Sequence, residues 1–288
     1  MPTIDAHVHL YPPEVVADPA VWAAACGEAH WTRLCTRRRK SGAPVQLFPS
    51  VDELLRDLDA AGIERAVLLG WYWEKPATCA AQNRFYEQCV EAHPDRLAAC
   101  AAVHPADLTE LRCARERGFV GVGELSPHSQ GFAADDARVS ELLRAAGELG
   151  LPVNLHVTDP ASKRFDGWVH TPLADFTRWA AAFPQTKFVL AHWGGGLAFD
   201  ATSRVLTNVW FDTAASPLLY DASAWARALA AVGAERLLFG SDYPLRLFPK
   251  TEEATGLGSF AREARGALPD GARAAVLGGN AERVFGRW

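Results

Sequence analysis

The sequence has no surplus of basic residues: 29 Lys and Arg face 34 Asp and Glu, for a formal net charge of −5. General nucleic-acid binders usually carry the opposite balance, so we expect no nucleic-acid partner. No apolar run approaches the roughly 20 residues of a membrane span, and the chain does not open with the basic and apolar regions of a signal peptide. We therefore expect a cytoplasmic protein that acts on small molecules.

Paired cysteines and nucleotide-binding motifs are also missing. None of the six cysteines forms a C-x-x-C pair, which favours reduced, buried thiols over disulfides or a zinc knot. Neither a G-x-G-x-x-G fingerprint nor a Walker A pattern follows an early strand, which weakens the case for a doubly wound nucleotide-binding sheet.

Short apolar runs instead alternate with longer amphipathic stretches along the whole chain. Most runs are continuous rather than alternating, as expected for parallel strands that are covered on both faces. The predicted strands are Ile4–Leu10, Arg65–Leu69, Leu97–Val103, Val120–Leu125, Val153–Val157, Lys187–Ala191, Val209–Asp212 and Leu237–Gly240. Predicted helices are Val51–Ala61, Ala80–Ala92, Leu108–Arg117, Ala137–Leu149, Leu173–Phe183, Ser223–Val232 and Ala272–Leu277. This order predicts an α/β fold, a (β/α)8 TIM barrel that forms a single domain over residues 1–288.

The connection after the first strand is unusually long. We predict that residues 11–50 form a loop-rich insertion. Loops of this length are uncommon unless they are functional. In a barrel this insertion would lie on the catalytic face and could cover the site. For its basic run, Arg37–Lys40, we favour a solvated loop over a site for a substrate anion.

Polar side chains of metal-ligand type stand at the carboxyl ends of the predicted strands. They are His7 and His9 on the first strand, Glu124, His156 and His192 at the ends of the fourth to sixth, and Asp242 after the eighth. Residues two apart on a strand share a face, so both imidazoles of the H-x-H triplet project together. Taken singly, each residue has a structural explanation, such as a helix cap or a strand-end hydrogen bond. Because barrel active sites lie at this end of the strands, the set predicts a metal site.

Other side chains near the predicted mouth are candidate substrate contacts. They are Trp71, Trp73, His128, His170 and Arg246. The two tryptophans, with Tyr72 between them, could stack a ring substrate, although core packing beneath the loops explains the cluster as well. The arginine could hold a carboxylate, although a surface ion pair is the commoner fate of such a residue.

The ordered motifs resemble the amidohydrolase superfamily, within its amidohydrolase-related (amidohydrolase 2) group of metal-dependent barrels. The stretches that carry the resemblance are Asp5–His9, Pro94–Arg96, Val103–Pro105, His192–Gly196, Phe239–Pro244 and Gly279–Phe285. The resemblance implies an enzyme with one or two divalent ions, zinc first and manganese as the alternative, and it is compatible with a homo-oligomer.

The resemblance also implies individual roles. His7, His9 and His156 would be metal ligands, and Asp242 would be a ligand or the general base. His192 would bind a second metal or act as a cation that polarises the substrate.

Strand four departs from the commonest pattern of these enzymes. Many amidohydrolases place a carbamylated lysine there, whereas this chain has Glu124, as TatD-like hydrolases do. Members of the decarboxylase branch often lack an acid at this point, so Glu124 favours hydrolysis. We therefore expect a metal-dependent hydrolase that cleaves an amide, ester or lactone bond of a small cyclic or carboxylated substrate. The alternatives are a non-oxidative decarboxylase of an aromatic or enoic acid, a non-catalytic binding barrel and, least favoured, a TatD-like nuclease.

Overall fold

Eight parallel strands form one sheet in the order β1 to β8 in the computed structural model, which describes residues 1–288. The strands are β1 (Ile4–Val8), β2 (Arg65–Leu69), β3 (Leu97–Ala101), β4 (Gly121–Leu125), β5 (Val153–Leu155), β6 (Phe188–Leu190), β7 (Val209–Asp212) and β8 (Leu237–Leu238). Hydrogen bonds bring the last strand segment back to the first, from Ala6 N to Phe239 O (2.9 Å) and from His9 N to Tyr243 O (2.7 Å). The predicted TIM barrel is confirmed.

Several strands are shorter than the sequence predicts, and the difference lies at their carboxyl ends. β5 ends at Leu155 rather than Val157, and β6 ends at Leu190 rather than Ala191. Apolar content alone cannot mark these ends, because the chain stays buried where it leaves the hydrogen-bond ladder. The departing residues turn towards the mouth of the barrel, where His156 follows β5 directly.

Helices cover the outside of the barrel. They are Val51–Ala61, Pro76–Ala92, Thr109–Ala114, Ala137–Glu148, Leu173–Ala182, Ser216–Leu219, Ser223–Val232 and Leu257–Ala267, followed by Asp270–Ala274, a π-helical turn at Ala275–Gly279 and Asn280–Phe285. The bounds of two predicted helices, Val51–Ala61 and Ser223–Val232, are reproduced. Helix Leu257–Ala267 is not predicted, since two glycines interrupt its apolar spacing. A continuous cluster of 55 buried residues lies between strands and helices.

The insertion is more ordered than the prediction of a loop-rich segment. It contains three short helices, Pro13–Ala17, Pro19–Cys26 and Ala29–Cys35. Behind them a hairpin pairs Arg38 with Pro44, and Gln46 bridges to Leu245 in the loop after β8. The insertion therefore crosses the catalytic face, as predicted. None of the helices combines the length and apolar character needed to cross a bilayer.

Candidate metal centre

Two imidazoles from β1 meet at the bottom of the mouth. The Nε2 atoms of His7 and His9 are 3.1 Å apart, and their side chains are 0% and 2% exposed. Nδ1 of His7 bonds to the Asp212 carboxylate at 2.9 Å, and Nδ1 of His9 donates to the Leu69 carbonyl at 3.0 Å. A carbonyl can only accept, so His9 carries its proton on Nδ1 and offers the Nε2 lone pair to the centre.

Asp242 completes a first ligand group with His7 and His9. Its Oδ1 is 3.7 Å from His7 Nε2 and 3.6 Å from His9 Nε2. Oε2 of Glu124 faces the same point, at 3.9 Å and 3.6 Å from these nitrogens. Ligands about 2.0–2.2 Å from a tetrahedral ion lie roughly 3.3–3.6 Å from one another. The donor types and their spacing therefore fit a divalent cation.

Glu124, His156 and His192 form a second ligand group beside the first. Oε1 of Glu124 is 2.9 Å from His156 Nδ1 and 3.6 Å from His192 Nε2, and these two nitrogens are 3.3 Å apart. Nδ1 of His192 donates to the Ala214 carbonyl at 3.0 Å, which leaves its Nε2 facing the group. Glu124 thus faces the first group with one oxygen and the second with the other.

The backbone is left-handed where two of these residues stand. His192 has φ 58° and Trp193 φ 57°, directly after β6, and Asp242 has φ 68°. Such conformations disfavour residues with a Cβ and persist where surrounding contacts impose them. The Asp242 amide donates to the His7 carbonyl at 3.0 Å, which fixes that turn against β1.

The carboxylates of the centre favour a positive charge among them. Burial alone would lower the pKa of His7, but the carboxylates of Asp212, Glu124 and Asp242 outweigh it and raise the pKa to about 10. Burial and the neighbouring His7 lower the pKa of His9 to about 3. Burial raises the pKa of Asp242 to about 7, although the positive charges of His7 and His192 act in the opposite direction. The neighbouring carboxylates thus favour the protonated form of His7, whose positive charge lies where a cation would bind.

Asp212 is the buried residue that the sequence analysis missed. It ends β7 on the same side as the other site residues, and its side chain is fully buried. Its position at a strand end is the signal that could have found it. An aspartate there also suits a helix cap, so the sequence alone does not separate the two roles.

The two tryptophans predicted as substrate contacts, Trp71 and Trp73, lie in different places in the structure. Trp71 packs edge-on against His9, with ring centroids 5.2 Å apart, and stacks on Tyr72 at 4.4 Å. Tyr72, which stands between the two tryptophans, lies 5.2 Å from the ring of His156. Trp73 is 1% exposed, and its indole donates to Gln82 beneath the insertion. Trp71 and Tyr72 therefore wall the ligand groups, and the structure does not bring Trp73 to them.

The remaining predicted contacts belong to neither ligand group and have partners of their own. His128 pairs with Asp175 at 2.9 Å, and His170 is exposed and stacks on Trp168. Arg246 is 5% exposed and donates to the carbonyls of Pro44 and Glu252. It therefore ties the insertion hairpin to the loop after β8 and forms no surface ion pair.

Comparison with known proteins places the chain in the amidohydrolase family. The amidohydrolase family model matches residues 4–287. 5-Carboxyvanillate decarboxylase LigW from Sphingomonas paucimobilis is 18% identical with a TM-score of 0.72, covering 99% of this chain and 98% of that one.

Two further solved structures share the fold. 2,6-Dihydroxybenzoate decarboxylase from Rhizobium is 18% identical with a TM-score of 0.68, and 99% of this chain and 98% of that chain are covered. A putative 2-pyrone-4,6-dicarboxylic acid hydrolase from Pseudomonas putida is 21% identical with a TM-score of 0.64, and 99% of this chain and 97% of that chain are covered. No curated protein sequence matches the chain.

Proposed function

The chain belongs to the amidohydrolase family, and on that premise we propose that it is a metal-dependent hydrolase of a small carboxylated molecule. The bond that it cleaves is an amide, an ester or a lactone. The observation that carries the proposal is the position of Glu124, whose two oxygens face two separate groups of ligand atoms. A carboxylate in this position can serve two cations at once, and paired metal sites are typical of hydrolytic enzymes.

His7, His9 and Asp242 would hold one divalent cation, His156 and His192 would hold the other, and Glu124 would serve both. Zinc suits this nitrogen and oxygen donor set, and manganese is the alternative. A divalent cation supplies two things there: it lowers the pKa of water to about 7 and it polarises a carbonyl.

Asp242 is the residue placed to move the proton. Its side chain is 16% exposed, against 2% for Glu124, so it lies on the side of the first ligand group that is open to the mouth. Its Oδ2 is 4.0 Å from His192 Nδ1, but that nitrogen donates its proton to the Ala214 carbonyl, so Asp242 is the group left to move a proton. Asp242 would accept a proton from water and return it to the leaving group.

The wall of the mouth fits a planar, anionic substrate. Trp71 and Tyr72 present stacked rings beside His9 and His156. Arg37 of the insertion is half-buried, and its observed contacts are the Leu34 carbonyl and the Phe165 ring rather than a carboxylate. Burial raises the pKa of Tyr72, and the positive charge of Arg37 acts in the opposite direction. Arg37 is therefore close enough to interact electrostatically with a group bound beside Tyr72. A substrate carboxylate would give this guanidinium its missing partner.

Non-oxidative decarboxylation of an aromatic acid is the second candidate. The aromatic wall beside the first ligand group favours it, because that group could take a carboxylate while the rings hold an aromatic nucleus. Among the compared structures of the same fold, those named as decarboxylases of such acids outnumber those named as hydrolases.

Product analysis separates the two candidates. The metal-loaded protein would be incubated with 2-pyrone-4,6-dicarboxylate, 5-carboxyvanillate and 2,6-dihydroxybenzoate, with simple aryl esters and lactones added to the panel. We expect ring opening or ester cleavage without release of carbon dioxide, and loss of that activity in Asp242→Asn. Carbon dioxide release from an aromatic acid would overturn the hydrolase and support the second candidate.

A further inference from the structure

We propose that Asp212 is a positioning residue that orients ligands in both metal groups through one carboxylate. The inference rests on the proposed metal centre and adds a residue that contributes no ligand atom to it. Asp212 ends β7, is 0% exposed and contacts the Nδ1 edge of His7, opposite the Nε2 that faces the ligand group.

Four donors converge on this carboxylate. Oδ2 accepts from His7 Nδ1 at 2.9 Å and from Asn154 Nδ2 at 3.0 Å. Oδ1 accepts from the backbone amides of His192 at 3.2 Å and of Ala214 at 3.0 Å. Each oxygen therefore has two donors, and no lysine or arginine is among them. An acceptor-only, ionised carboxylate is the group that satisfies all four.

The bond from His7 fixes the role of that imidazole in the first ligand group. When Nδ1 donates to Asp212, the Nε2 lone pair points at Nε2 of His9 and at Asp242. An asparagine at position 212 would offer an N–H to at least one of these donors. His7 could then accept at Nδ1 only by moving its proton to Nε2, where a metal must bind.

The bond to the His192 amide acts on the second ligand group. The left-handed backbone of His192 is disfavoured, and its N–H donates to Asp212 Oδ1. The Ala214 amide donates to the same oxygen, and the Ala214 carbonyl accepts from the His192 ring. Backbone and ring of His192 are thus both fixed from the end of β7. One residue change should therefore loosen a ligand in each group.

The test is the affinity of the full-length, metal-free protein for Zn²⁺, measured by competition with a chromophoric chelator. We expect Asp212→Asn to weaken Zn²⁺ binding by about 10–100-fold, as is usual when a partner of a ligand is lost. Asp159→Asn is the matched control: this buried aspartate accepts from Tyr220 and the Ala161 amide, touches no ligand, and should leave the affinity unchanged.

A second measurement does not depend on the variant folding. In ¹⁵N spectra of histidine-labelled wild-type protein, with signals assigned through His7→Gln, His7 should keep a protonated Nδ1 while Nε2 shifts on addition of Zn²⁺. A folded Asp212→Asn protein that binds Zn²⁺ as tightly as wild type, or a Zn²⁺-induced shift at Nδ1 of His7, would overturn the inference alone. Wild-type protein that takes up no Zn²⁺ would overturn the metal centre and the inference together.

Discussion

At the scale of single residues, the centre is organised by acceptors that lie outside it. The Leu69 carbonyl, the Asp212 carboxylate and the Ala214 carbonyl each bond to the outer nitrogen of one histidine. Each imidazole is thereby left with its Nε2 facing the ligand groups. This arrangement should raise the affinity for a metal ion, because the rings need not reorient when a cation binds.

Asp5 gives a pH-dependent prediction at the same scale. Its Oδ1 accepts from the amides of His7 and Ser241, whereas its buried Oδ2 has no partner. Burial raises the pKa of Asp5 from 3.8 to about 6, so the folded protein keeps a proton that the unfolded chain has lost. The contribution of Asp5 to stability is therefore fully present below about pH 4 and is lost as pH rises to about 6.

Replacing Asp5 by asparagine should remove that dependence. Between pH 4 and pH 7, the difference in unfolding free energy between Asp5→Asn and wild type should change by about 3 kcal/mol, because one pKa unit is worth about 1.4 kcal/mol. Urea denaturation of the metal-free proteins across this range provides the measurement. Parallel stability profiles for the two proteins would show that Asp5 is ionised in both states.

At the scale of elements, the insertion is held to the barrel by a buried carboxylate. Glu28 is 0% exposed and accepts from the amides of Glu74 at 2.7 Å and Lys75 at 3.1 Å, just before helix Pro76–Ala92. Glu28→Gln leaves one of these amides without an acceptor, which should lower the unfolding free energy by about 1–3 kcal/mol.

Urea denaturation tests this prediction, with the exposed Glu14→Gln in the same insertion as the control. Zinc content should stay at the wild-type level in both variants, because Glu28 touches no ligand. A loss below about 0.5 kcal/mol, the range of ordinary surface changes, would contradict the anchoring role.

Elements that follow a hydrophobic period could be predicted from the sequence, and elements that depend on tertiary contacts could not. The apolar stretch of β7 marks a strand, and helix Val51–Ala61 has its predicted bounds because Gly62, with φ 65°, follows its last residue. The short helices of the insertion have no comparable pattern, since their order comes from aromatic packing such as Trp22 and Trp31 against Trp73.

The ligand types could be predicted because imidazole and carboxylate at strand ends have few other uses in combination. Their supports could not, since they join residues far apart in the chain. His7 and Asp212 are 205 positions apart, and only closure of the barrel brings them together. Trp73 was expected in the mouth because it is close to Trp71 in the chain, but residues 71–73 lie beyond β2 in irregular backbone, and the Trp73 indole bonds to Gln82 beneath the insertion.

At the scale of the whole molecule, the metal centre joins segments from β1, β4, β5, β6 and the loop after β8. A cation that binds only the folded barrel therefore stabilises all of it. Free metal at 100 times its dissociation constant should add about 2.7 kcal/mol for each site that it occupies. For a chain of this size, we expect removal of each ion to lower Tm by roughly 5–10 °C.

Differential scanning calorimetry with and without a chelator measures this shift. In His7→Ala about half of the shift should be lost, because the first ligand group is broken while Glu124, His156 and His192 remain. An equal shift in wild type and His7→Ala would mean that the metal acts elsewhere on the protein.

The position of Glu124 between two ligand groups is the central claim, and metal stoichiometry tests it most directly. Elemental analysis would be made on wild-type and Glu124→Gln proteins after reconstitution with Zn²⁺ or Mn²⁺ and removal of excess ion. Two ions per wild-type chain, and one per Glu124→Gln chain, is the predicted result. One ion in both proteins would contradict the shared carboxylate and favour the decarboxylase candidate, and none in either would overturn the metal centre.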